Sequence, residues 1–412
     1  MRSAAVLLLF VAPVLAEEHV VSSEHYEVRQ EGEPGDAEKS ARVLEAAWPQ
    51  FQRYFKAKPK LKKGEKLVVR YFSAREAWSK ALQADGATVP DGAGGYYWPQ
   101  TKTVYLYKQP TVYYSRVLLL HEAAHQFHYL SKTRNKNPDA AWYREGVAEY
   151  LSWHHWDGAT LELAVQPNIS LKDYAAAALT EAKAGGFDFA GLVEGKGTPS
   201  RAFSWSLVRY LATGGKDGKP LKRWEHFRRK MDGGVRPGPT FKKTIGQFGA
   251  AGKGYTAWLE ENQQPFAYVF NEWIGIGPGR MHGFAGVVSV CRVKAPSKFF
   301  TATMEPPADA KGWKGGVLLH YTSKEDYSVA LLDWGGFVHI QRFNGKRFQI
   351  IERGEVPAIV KGSSYVFQLF RRKNGVTMMI GNAGFGPWDL PGKSFGLAVQ
   401  KSDLRFRDVS WK

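Results

Sequence analysis

The sequence is organised around residues 118–128, which read Leu-Leu-Leu-His-Glu-Ala-Ala-His-Gln-Phe-His. This run is apolar around the pattern H-E-x-x-H, and we expect a buried helix from about Val112 to Leu130. On a helix, residues i and i+4 lie one above the other, so His121 and His125 point to the same side. Two such imidazole nitrogens suit a zinc ion, and Glu122 beside them is placed to take a proton from a water molecule.

A second helical pattern, at residues 140–151, carries two carboxylates one turn apart. Catalytic zinc sites usually have three protein ligands and one open position, so we expect Glu145 to be the third ligand. Glu149 follows on the same face and could accept a hydrogen bond from the outer nitrogen of a ligand histidine, which would fix the orientation of that ring. The apolar residues around both carboxylates favour burial over two exposed charges on a helix surface.

These two motifs resemble those of the gluzincin metallopeptidases, and in particular the peptidase-MA-like group, in which H-E-x-x-H is followed by a helix reading E-G-x-A-E/D. In this sequence the second motif is Glu145-Gly146-Val147-Ala148-Glu149. The resemblance covers about residues 24–275. It includes residues 95–106, which look like the strand hairpin that precedes the metal helix in that family.

The resemblance implies a zinc metallopeptidase with a zincin-like α+β fold that acts on a peptide or protein substrate. His121, His125 and Glu145 would bind Zn²⁺. Glu122 would act as the general base. The edge strand near Thr103–Tyr107 would lie along the bound peptide and could pair with it as an added strand.

The oxyanion site departs from the family's pattern. In related gluzincin aminopeptidases, a tyrosine at the start of a later helix stabilises the oxyanion. The matching helix here is residues 201–211, and the tyrosine position falls on Arg201. A guanidinium can stabilise a developing negative charge, so we assign Arg201 a catalytic role. A surface arginine at a helix start is the alternative, and Tyr210 and Tyr143 are the other candidates. The acidic anchor of aminopeptidases is not recognisable at residues 92–95.

The remaining histidines near these motifs have weaker assignments. His128 lies three residues after His125 and would reach the edge of the ligand face at most. His154 and His155 follow the second helix and could supply a substrate-binding or acid group. A packing role is the alternative for all three.

The first 16 residues predict a signal peptide. Arg2 is followed by an apolar run from Ala4 to Leu15, which is too short to span a membrane, and cleavage is expected after Ala16. No other segment reaches membrane-spanning length, so we expect a protein that is secreted or periplasmic. The single cysteine, Cys291, excludes an intrachain disulfide, and its strand-like apolar setting is typical of a buried thiol.

With 412 residues, the chain is long enough for two or three domains. We predict a metallopeptidase-like α+β domain at residues 17–280 and an all-β domain at residues 284–412. The formal net charge of +18 favours an anionic partner, although a solvated basic surface explains it as well. The densest basic run, residues 56–66, is typical of an exposed loop, and we find no nucleic-acid-binding motif.

Residues 284–412 consist of short alternating runs separated by turns, which predicts an antiparallel β-sandwich. The runs Tyr327–Asp333 and Phe337–Phe343 and the ending Leu404–Val409 resemble the concanavalin-like jelly-roll domains of laminin-G-like and bacterial glucanase-like modules. Such domains often bind carbohydrate.

Three tryptophans of this domain, Trp313, Trp334 and Trp388, lie near turns. They either stack on sugar rings or pack inside the sandwich. No carboxylate pair has convincing spacing for glycoside hydrolysis, so a glycosidase is not expected.

The rest of the chain predicts strands followed by helices. Strands are expected at residues 24–30, 67–72, 95–98 and 103–108. Helices are expected at residues 36–56, 73–82, 171–183, 202–211, 221–231 and 255–274, with a capping box at Ser73–Glu76.

Two functions follow from the sequence. The first is an exported zinc metallopeptidase whose C-terminal sandwich serves binding or targeting. The second is a carbohydrate- or surface-binding protein with a weak or inactive zincin domain. The presence of Arg201 at the position of the family's tyrosine keeps this second function open.

Overall fold

The computed structural model describes residues 18–31, 35–89, 91–133, 140–167, 169–170, 172–270, 272–277, 279–284, 288–308, 311–356 and 362–412. Contacts within the chain divide it into two compact units, one ending at Ser131 and the other beginning at Lys132. The predicted signal peptide, residues 1–16, lies outside the described residues.

The first unit is built on a mixed five-stranded sheet with the strand order β1-β2-β3-β5-β4. Its elements are β1 (Glu18–Ser22), β2 (Tyr26–Glu31), α1 (Asp36–Phe55), β3 (Leu67–Phe72), α2 (Arg75–Ala84), β4 (Gly95–Trp98), β5 (Thr103–Tyr107) and α3 (Val112–His128). The pairs β2–β3 and β3–β5 are parallel, whereas β1–β2 and β5–β4 are antiparallel. The predicted α+β architecture is confirmed for this unit, and its zincin identity stays a prediction.

Both faces of this sheet are covered. Successive strand residues point to opposite faces, and Val104, Tyr105 and Leu106 of β5 are all buried. Tyr105 packs on the α2 side with Phe72 of β3 and Trp78 of α2. The core of the first unit therefore lies on both sides of the sheet, as the apolar runs of its strands predict.

The predicted capping box at Ser73–Glu76 is not formed. The N-cap residue of α2 is Ala74, and no side chain caps the helix. Ser73 lies one residue before the N-cap, so its hydroxyl is out of register with the amides that it would have to accept.

The prediction that Thr103–Tyr107 forms the edge of the sheet is wrong. This strand, β5, pairs with β3 on one side and with β4 on the other, so its backbone groups are already used. The edge strand is Gly95–Trp98. The sequence indicated a hairpin at this place, but it did not indicate which of the two hairpin strands would join β3.

The helix that carries H-E-x-x-H forms as predicted. Its N-cap is Thr111, whose hydroxyl accepts the amide of Tyr114. The Gln126 side chain ties the helix to the sheet, because its amide donates to the carbonyls of Val68 at 3.1 Å and Lys102 at 2.8 Å. Phe127 packs on α1, where its ring stacks on Phe55 with centroids 5.5 Å apart. These contacts fix the rotation of α3 about its own axis.

The second unit begins with a group of helices and a short hairpin. Its elements are α4 (Ala141–Ser152), β6 (His154–Trp156), β7 (Leu161–Leu163), α5 (Tyr174–Lys183), α6 (Phe189–Val193), α7 (Arg201–Thr213), α8 (Trp224–Asp232), α9 (Pro237–Thr244) and α10 (Phe248–Glu261). Ser200 caps α7 by accepting the amide of Phe203 at 2.9 Å. The helices predicted at residues 140–151, 171–183, 202–211 and 221–231 are present with small shifts of their ends.

Helices α4 and α7 cross closely at Gly146. A Cβ atom at this position would lie 2.3 Å from the carbonyl oxygen of Ser204 and 2.7 Å from a methyl group of Val208. The glycine of the E-G-x-A-E motif therefore lets the backbones of the two helices approach.

The C-terminal part of the second unit is a β-sandwich of two seven-stranded sheets. Its strands are β8 (Phe266–Phe270), β9 (Glu272–Gly277), β10 (Arg280–Phe284), β11 (Val288–Val293), β12 (Phe299–Glu305), β13 (Lys314–Ser323), β14 (Asp326–Asp333), β15 (Phe337–Phe343), β16 (Phe348–Glu355), β17 (Tyr365–Arg372), β18 (Gly375–Ile380), β19 (Ala383–Trp388), β20 (Gly396–Gln400) and β21 (Asp403–Trp411). The sheet orders are β19-β18-β17-β12-β21-β10-β9 and β16-β15-β14-β13-β20-β11-β8.

One core lies between the two sheets and confirms the predicted sandwich. It contains Val317 and Leu332 from one sheet and Phe367 and Phe406 from the other. All the strand pairs of the sandwich are antiparallel in the described residues. Cys291 is buried in this core, as its strand setting predicts.

Strands of the sandwich begin earlier in the chain than residue 284. The predicted helix at residues 255–274 ends at Glu261, and its second half forms β8 and the start of β9. Pro265 explains the difference, since proline removes a helix hydrogen bond and clashes with the preceding turn. β8 pairs with β11, and β10 pairs with β21.

Replacing Gly146 by alanine is expected to destabilise the chain by about 1–3 kcal/mol, because the new methyl group meets backbone atoms of α7 that cannot move alone. The measurement is chemical denaturation of both proteins at neutral pH. Gly249→Ala is the matched control: Gly249 also lies in a helix, α10, and nothing stands within 4 Å of a Cβ there. Equal stability of the two variants would contradict the proposed close approach of α4 and α7.

Candidate metal site

His121 and His125 stand together on α3. Their Nε2 atoms are 3.1 Å apart, and the rings meet edge to face with centroids 4.7 Å apart. Two nitrogens that share one tetrahedral zinc ion at ordinary bond lengths lie about 3.3 Å apart. The observed spacing therefore fits two ligands of the same ion.

Glu122 is buried beside this pair, with 4% of its surface exposed. Its Oε2 atom accepts the backbone amide of Tyr97, on the edge strand β4, at 2.8 Å. Gly95 on the same strand leaves room for the side chain, because a Cβ there would lie 2.9 Å from Glu122 Cγ. Sequence reasoning missed both contacts, and the glycine pair Gly94-Gly95 ahead of the helix was the available signal.

The third predicted ligand joins the two histidines. One ligand atom from each of His121, His125 and Glu145 lies within 4.8 Å of the others, the group of three that could hold a metal ion among the described residues. Two imidazoles and one carboxylate form the donor set of several catalytic zinc sites. We refer to these three residues as the ligand cluster. The donors fit zinc, and the identity of the metal stays a prediction.

Glu149 lies one turn after Glu145 on α4 and is 2% exposed. Its Oε1 atom accepts Nη1 of Arg201, at the start of α7, at 2.7 Å. A buried carboxylate requires such a charged partner, since water is excluded from it. The prediction that Glu149 orients a ligand histidine stays a prediction, and the geometry adds the ion pair with Arg201.

Arg201 combines an exposed position with a fixed charge. Its side chain is 47% exposed. Burial of the rest of the side chain lowers the pKa of Arg201. The negative charges of Glu149, Tyr174 and Glu145 outweigh this effect, so the pKa lies above its usual value. The guanidinium is therefore a permanent cation beside the two carboxylates of α4, which is compatible with the catalytic role that the sequence assigns to it.

The alternative tyrosines are engaged in packing. Tyr143 is buried and donates its hydroxyl to Asp232 at 2.7 Å. Tyr210 is buried against Tyr255 and Trp258. Neither hydroxyl has the exposed position that an oxyanion donor needs, so Arg201 is the better candidate of the three.

The other histidines of this region are core residues. His128 is 4% exposed, and its ring stacks on Phe55 with centroids 4.7 Å apart. His154 is fully buried, and its Nδ1 lies 2.8 Å from the carbonyl oxygen of Ser152. Their packing roles agree with the alternative that the sequence left open.

Two of the three tryptophans singled out in the sandwich are in its core. Trp313 and Trp388 are each 7% exposed, and the indole of Trp388 donates to Glu352 at 2.7 Å. They cannot stack on an external sugar ring. Trp334 is 51% exposed, and Phe337, at the other end of the same turn, is 47% exposed.

No helix in the described part of the chain combines the length and the apolar character that crossing a membrane requires.

Of the comparisons with known proteins, the one with solved structures found similar proteins. No protein-family model matches the sequence, and no curated protein matches it. The chain is similar to the carbohydrate-binding module CBM66 from Bacillus subtilis, at 16% identity over 36% of this chain and 95% of that chain, with a TM-score of 0.30. It is also similar to toad ovary galectin in complex with thio-digalactose, at 12% identity over 31% of this chain and 100% of that chain, with a TM-score of 0.24.

A further similar structure is a mutant of the GH43 protein BlXynB from Bacillus licheniformis. The identity is 11% over 35% of this chain and 39% of that chain, with a TM-score of 0.25. At these identities and scores the likenesses carry no argument about activity. The sandwich is established by its own strand pairing.

The stability of the chain is expected to fall as the pH drops below about 6.5, the usual pKa of histidine. His320 is fully buried, with Nδ1 3.0 Å from Ser328 Oγ. Burial is the largest effect and lowers the pKa of His320. Asp326 raises this pKa, whereas Arg342 and Arg371 lower it, and the net result is a pKa below the usual value of histidine. The unfolded chain therefore binds a proton that the folded chain does not, at a cost of at most about 1.4 kcal/mol per pH unit.

The measurement for this prediction is urea denaturation at a series of pH values between neutral and moderately acidic. His320→Gln should reduce the dependence of the unfolding free energy on pH. His226→Gln, at an exposed position on α8, is the matched control. An unchanged pH dependence in His320→Gln would show that His320 does not cause the loss.

Proposed function

We propose that this chain is an exported zinc-dependent peptidase. The observation that carries the proposal is the ligand cluster, His121, His125 and Glu145, with the buried carboxylate of Glu122 adjoining it on α3. Two imidazoles and a carboxylate suit zinc in a catalytic site, because a fourth position stays open. The predicted signal peptide at residues 1–16 supports export.

Zinc bound at this cluster would supply a water molecule acidic enough to react near neutral pH and would polarise the substrate carbonyl. Glu122 takes the proton of the attacking water at its carboxylate. The amide of Tyr97 holds that carboxylate in place. Glu122 then returns the proton to the leaving amine.

Arg201 provides positive charge for the developing oxyanion. Its ion pair with Glu149 restrains one guanidinium nitrogen, and 47% of the side chain stays exposed to approach by a ligand. The substrate peptide would add to the edge of the sheet at β4, since β5 is paired on both sides.

Zinc content and proteolysis separate binding from catalysis at this site. Glu145→Ala should lower the zinc affinity by more than the roughly 10- to 100-fold that loss of an outer-shell partner costs, because a ligand atom is removed. Glu122→Gln should keep zinc and lose cleavage of a denatured-protein mixture by roughly 10²- to 10⁴-fold. Zinc is measured by elemental analysis after dialysis, and cleavage by release of amino groups.

Glu260→Ala is the control for Glu145→Ala, since Glu260 is a surface carboxylate paired with Lys183. An unchanged zinc affinity in Glu145→Ala would remove Glu145 from the ligand set. Wild-type protein that binds zinc but cuts no substrate would favour the second function.

The second function is carbohydrate or surface binding by the sandwich, with a weak or inactive metal site. The observation that favours it is the exposure of Trp334 and Phe337 on the turn between β14 and β15. Asp333 braces this turn, because its Oδ1 accepts the amides of Gly335 at 3.0 Å and Phe337 at 3.1 Å. A large aromatic face on a braced turn suits stacking on a sugar ring.

By their descriptions, the similar structures named above include a carbohydrate-binding module and a galectin in complex with thio-digalactose. At their identities and TM-scores they carry no argument, and the exposed turn is what supports the second function. The two functions are compatible, since the sandwich could deliver the metal site to a surface that contains its substrate.

Trp334→Ala is expected to weaken binding to a polysaccharide by about tenfold, which corresponds to about 1.4 kcal/mol of lost stacking. The measurement is depletion of the protein from solution by insoluble cellulose, chitin, xylan and peptidoglycan. Ile351→Ala, which removes another exposed apolar side chain of the same sheet, is the matched control. Equal depletion of wild type and Trp334→Ala on every polysaccharide would exclude the turn as the binding surface.

A further inference from the structure

Residues 216–243 of the second unit are strongly basic. They contain ten lysines and arginines and three acidic residues, so this segment has a net charge of +7, against +18 for the whole chain. Nine of the ten basic residues are exposed, and Arg228 is the exception. We refer to these nine exposed lysines and arginines as the basic surface. A large share of the positive charge of the chain is therefore concentrated on α8, on α9 and on the turns beside them.

The acidic residues of the same segment compensate this charge only in part. Asp232 is buried and accepts a tyrosine hydroxyl, and Glu225 pairs with the buried Arg228 at 3.0 Å. Among the described residues, the ion pair of the basic surface is the one between Lys242 and Glu194, at 3.7 Å. The other cations of the basic surface are left to solvent or to a partner.

Helix α8 presents its charged residues along one face. His226, Arg229 and Lys230 are exposed and are three and four positions apart, so they are neighbours on the helix surface. The apolar residues Trp224 and Phe227 are buried in the core. Helix α8 therefore cannot insert its apolar face into a membrane or into a groove of another protein. Charge is what this helix offers to a partner.

Helix stability does not explain where these cations lie. A cation is favourable near the C-terminus of a helix and unfavourable near the N-terminus, where the helix dipole is positive. Arg229 and Lys230, in the last turn of α8, follow this rule. Arg223 and Arg236 do not, because they are the N-cap residues of α8 and α9, and neither side chain caps its helix. Their charges oppose folding, and an anionic partner would offset this effect.

We propose that the basic surface binds an acidic polysaccharide. The exposed cations continue from α8 through residues 233–236 to α9, and Arg223 and Lys230 alone are about 10 Å apart along the helix axis. An extended anion fits this arrangement better than a small one, which needs donors that converge on one point.

Two other extended anions fit this surface less well. All residues of the segment 216–243 are described, and none of its large apolar side chains is exposed. An interfacial helix needs such side chains to enter a membrane, and single-stranded nucleic acid stacks its bases on exposed aromatic rings. The predicted signal peptide also supports a partner outside the cell. The proposal does not depend on the ligand cluster or on the turn that carries Trp334.

The test measures binding of the full chain to polygalacturonate at several salt concentrations, with the fully methyl-esterified polymer as its uncharged match. A triple variant, Arg223→Gln with Lys230→Gln and Arg236→Gln, should lose affinity by roughly tenfold or more and should depend less on salt, because fewer counterions are released. Its Tm should not fall, since two cations leave the positive ends of helices. Wild type should bind the esterified polymer at least roughly tenfold more weakly.

A second triple variant of the basic surface removes the same charge without changing an N-cap residue. Lys219→Gln with Lys222→Gln and Lys243→Gln should show a similar loss of affinity, so the test does not depend on the folding of one variant. Dextran sulfate and dextran form a second charged and uncharged pair, which separates a preference for carboxylates from a preference for sulfates.

The matched control removes three charges from the other basic run of the chain. Lys58→Gln with Lys62→Gln and Lys63→Gln, in an exposed loop of the first unit, should keep its affinity within about twofold, since solvent screens charges outside the contact. Equal losses in this control and in the variants of the basic surface would overturn the proposal, because the charge would then act diffusely. Binding of wild type to duplex DNA or to phosphatidylglycerol vesicles, with no binding to either acidic polysaccharide, would also overturn it.

Discussion

The close crossing of α4 and α7 is the constraint on which the candidate site depends. Helix α4 places Glu149 where water cannot reach it, so a cation must come from a neighbouring helix. Arg201 supplies that charge from the first turn of α7, and Gly146 gives α7 the room to come near. The motif E-G-x-A-E thus has three physical parts: a candidate metal donor, a gap for a neighbouring backbone, and a carboxylate that pairs with Arg201 of the neighbouring helix.

The same logic explains which features could be predicted from sequence. Helix α3 has strong apolar periodicity, and i,i+4 geometry then puts His121 and His125 on one face without further information. The spacing of Glu145 and Glu149 follows from one turn of helix. Arg201, which pairs with Glu149, is 52 residues away in the chain, and no local pattern marks it.

The errors in the fold have local causes as well. Pro265 was a sufficient reason to end the helix at residues 255–274, and the strands that follow it are the ones that sequence reasoning missed. Strand order is a property of the whole sheet, and the sequence of one strand does not reveal it. The pattern at Thr103–Tyr107 therefore could not show that this strand pairs on both sides and is not the edge. The burial of Trp313 and Trp388 likewise depends on how the two sheets face each other, whereas alternation along a strand fixes only which side a residue occupies.

The two proposed functions use different chemistry and different residues of the chain. Hydrolysis needs ionised groups held in low-dielectric surroundings, whereas glycan binding needs an exposed apolar face on a braced turn. The formal charge of +18 bears on both, since it favours acidic surfaces and anionic ligands without selecting one.

The early strands β8, β9 and β10 determine how the sandwich can be separated from the rest of the chain. A fragment that begins at residue 284 would lack all three, and β11 and β21 would become the outer strands of the two sheets. Their unpaired amides and carbonyls would then be open to pairing with another chain, and aggregation is the usual result. Ile169 is buried in the sandwich core and Asp173 pairs with Lys294 at 2.6 Å, so segments from the helical part also seal the sandwich. The smallest part of the chain that contains this sandwich and folds on its own is therefore longer than residues 284–412.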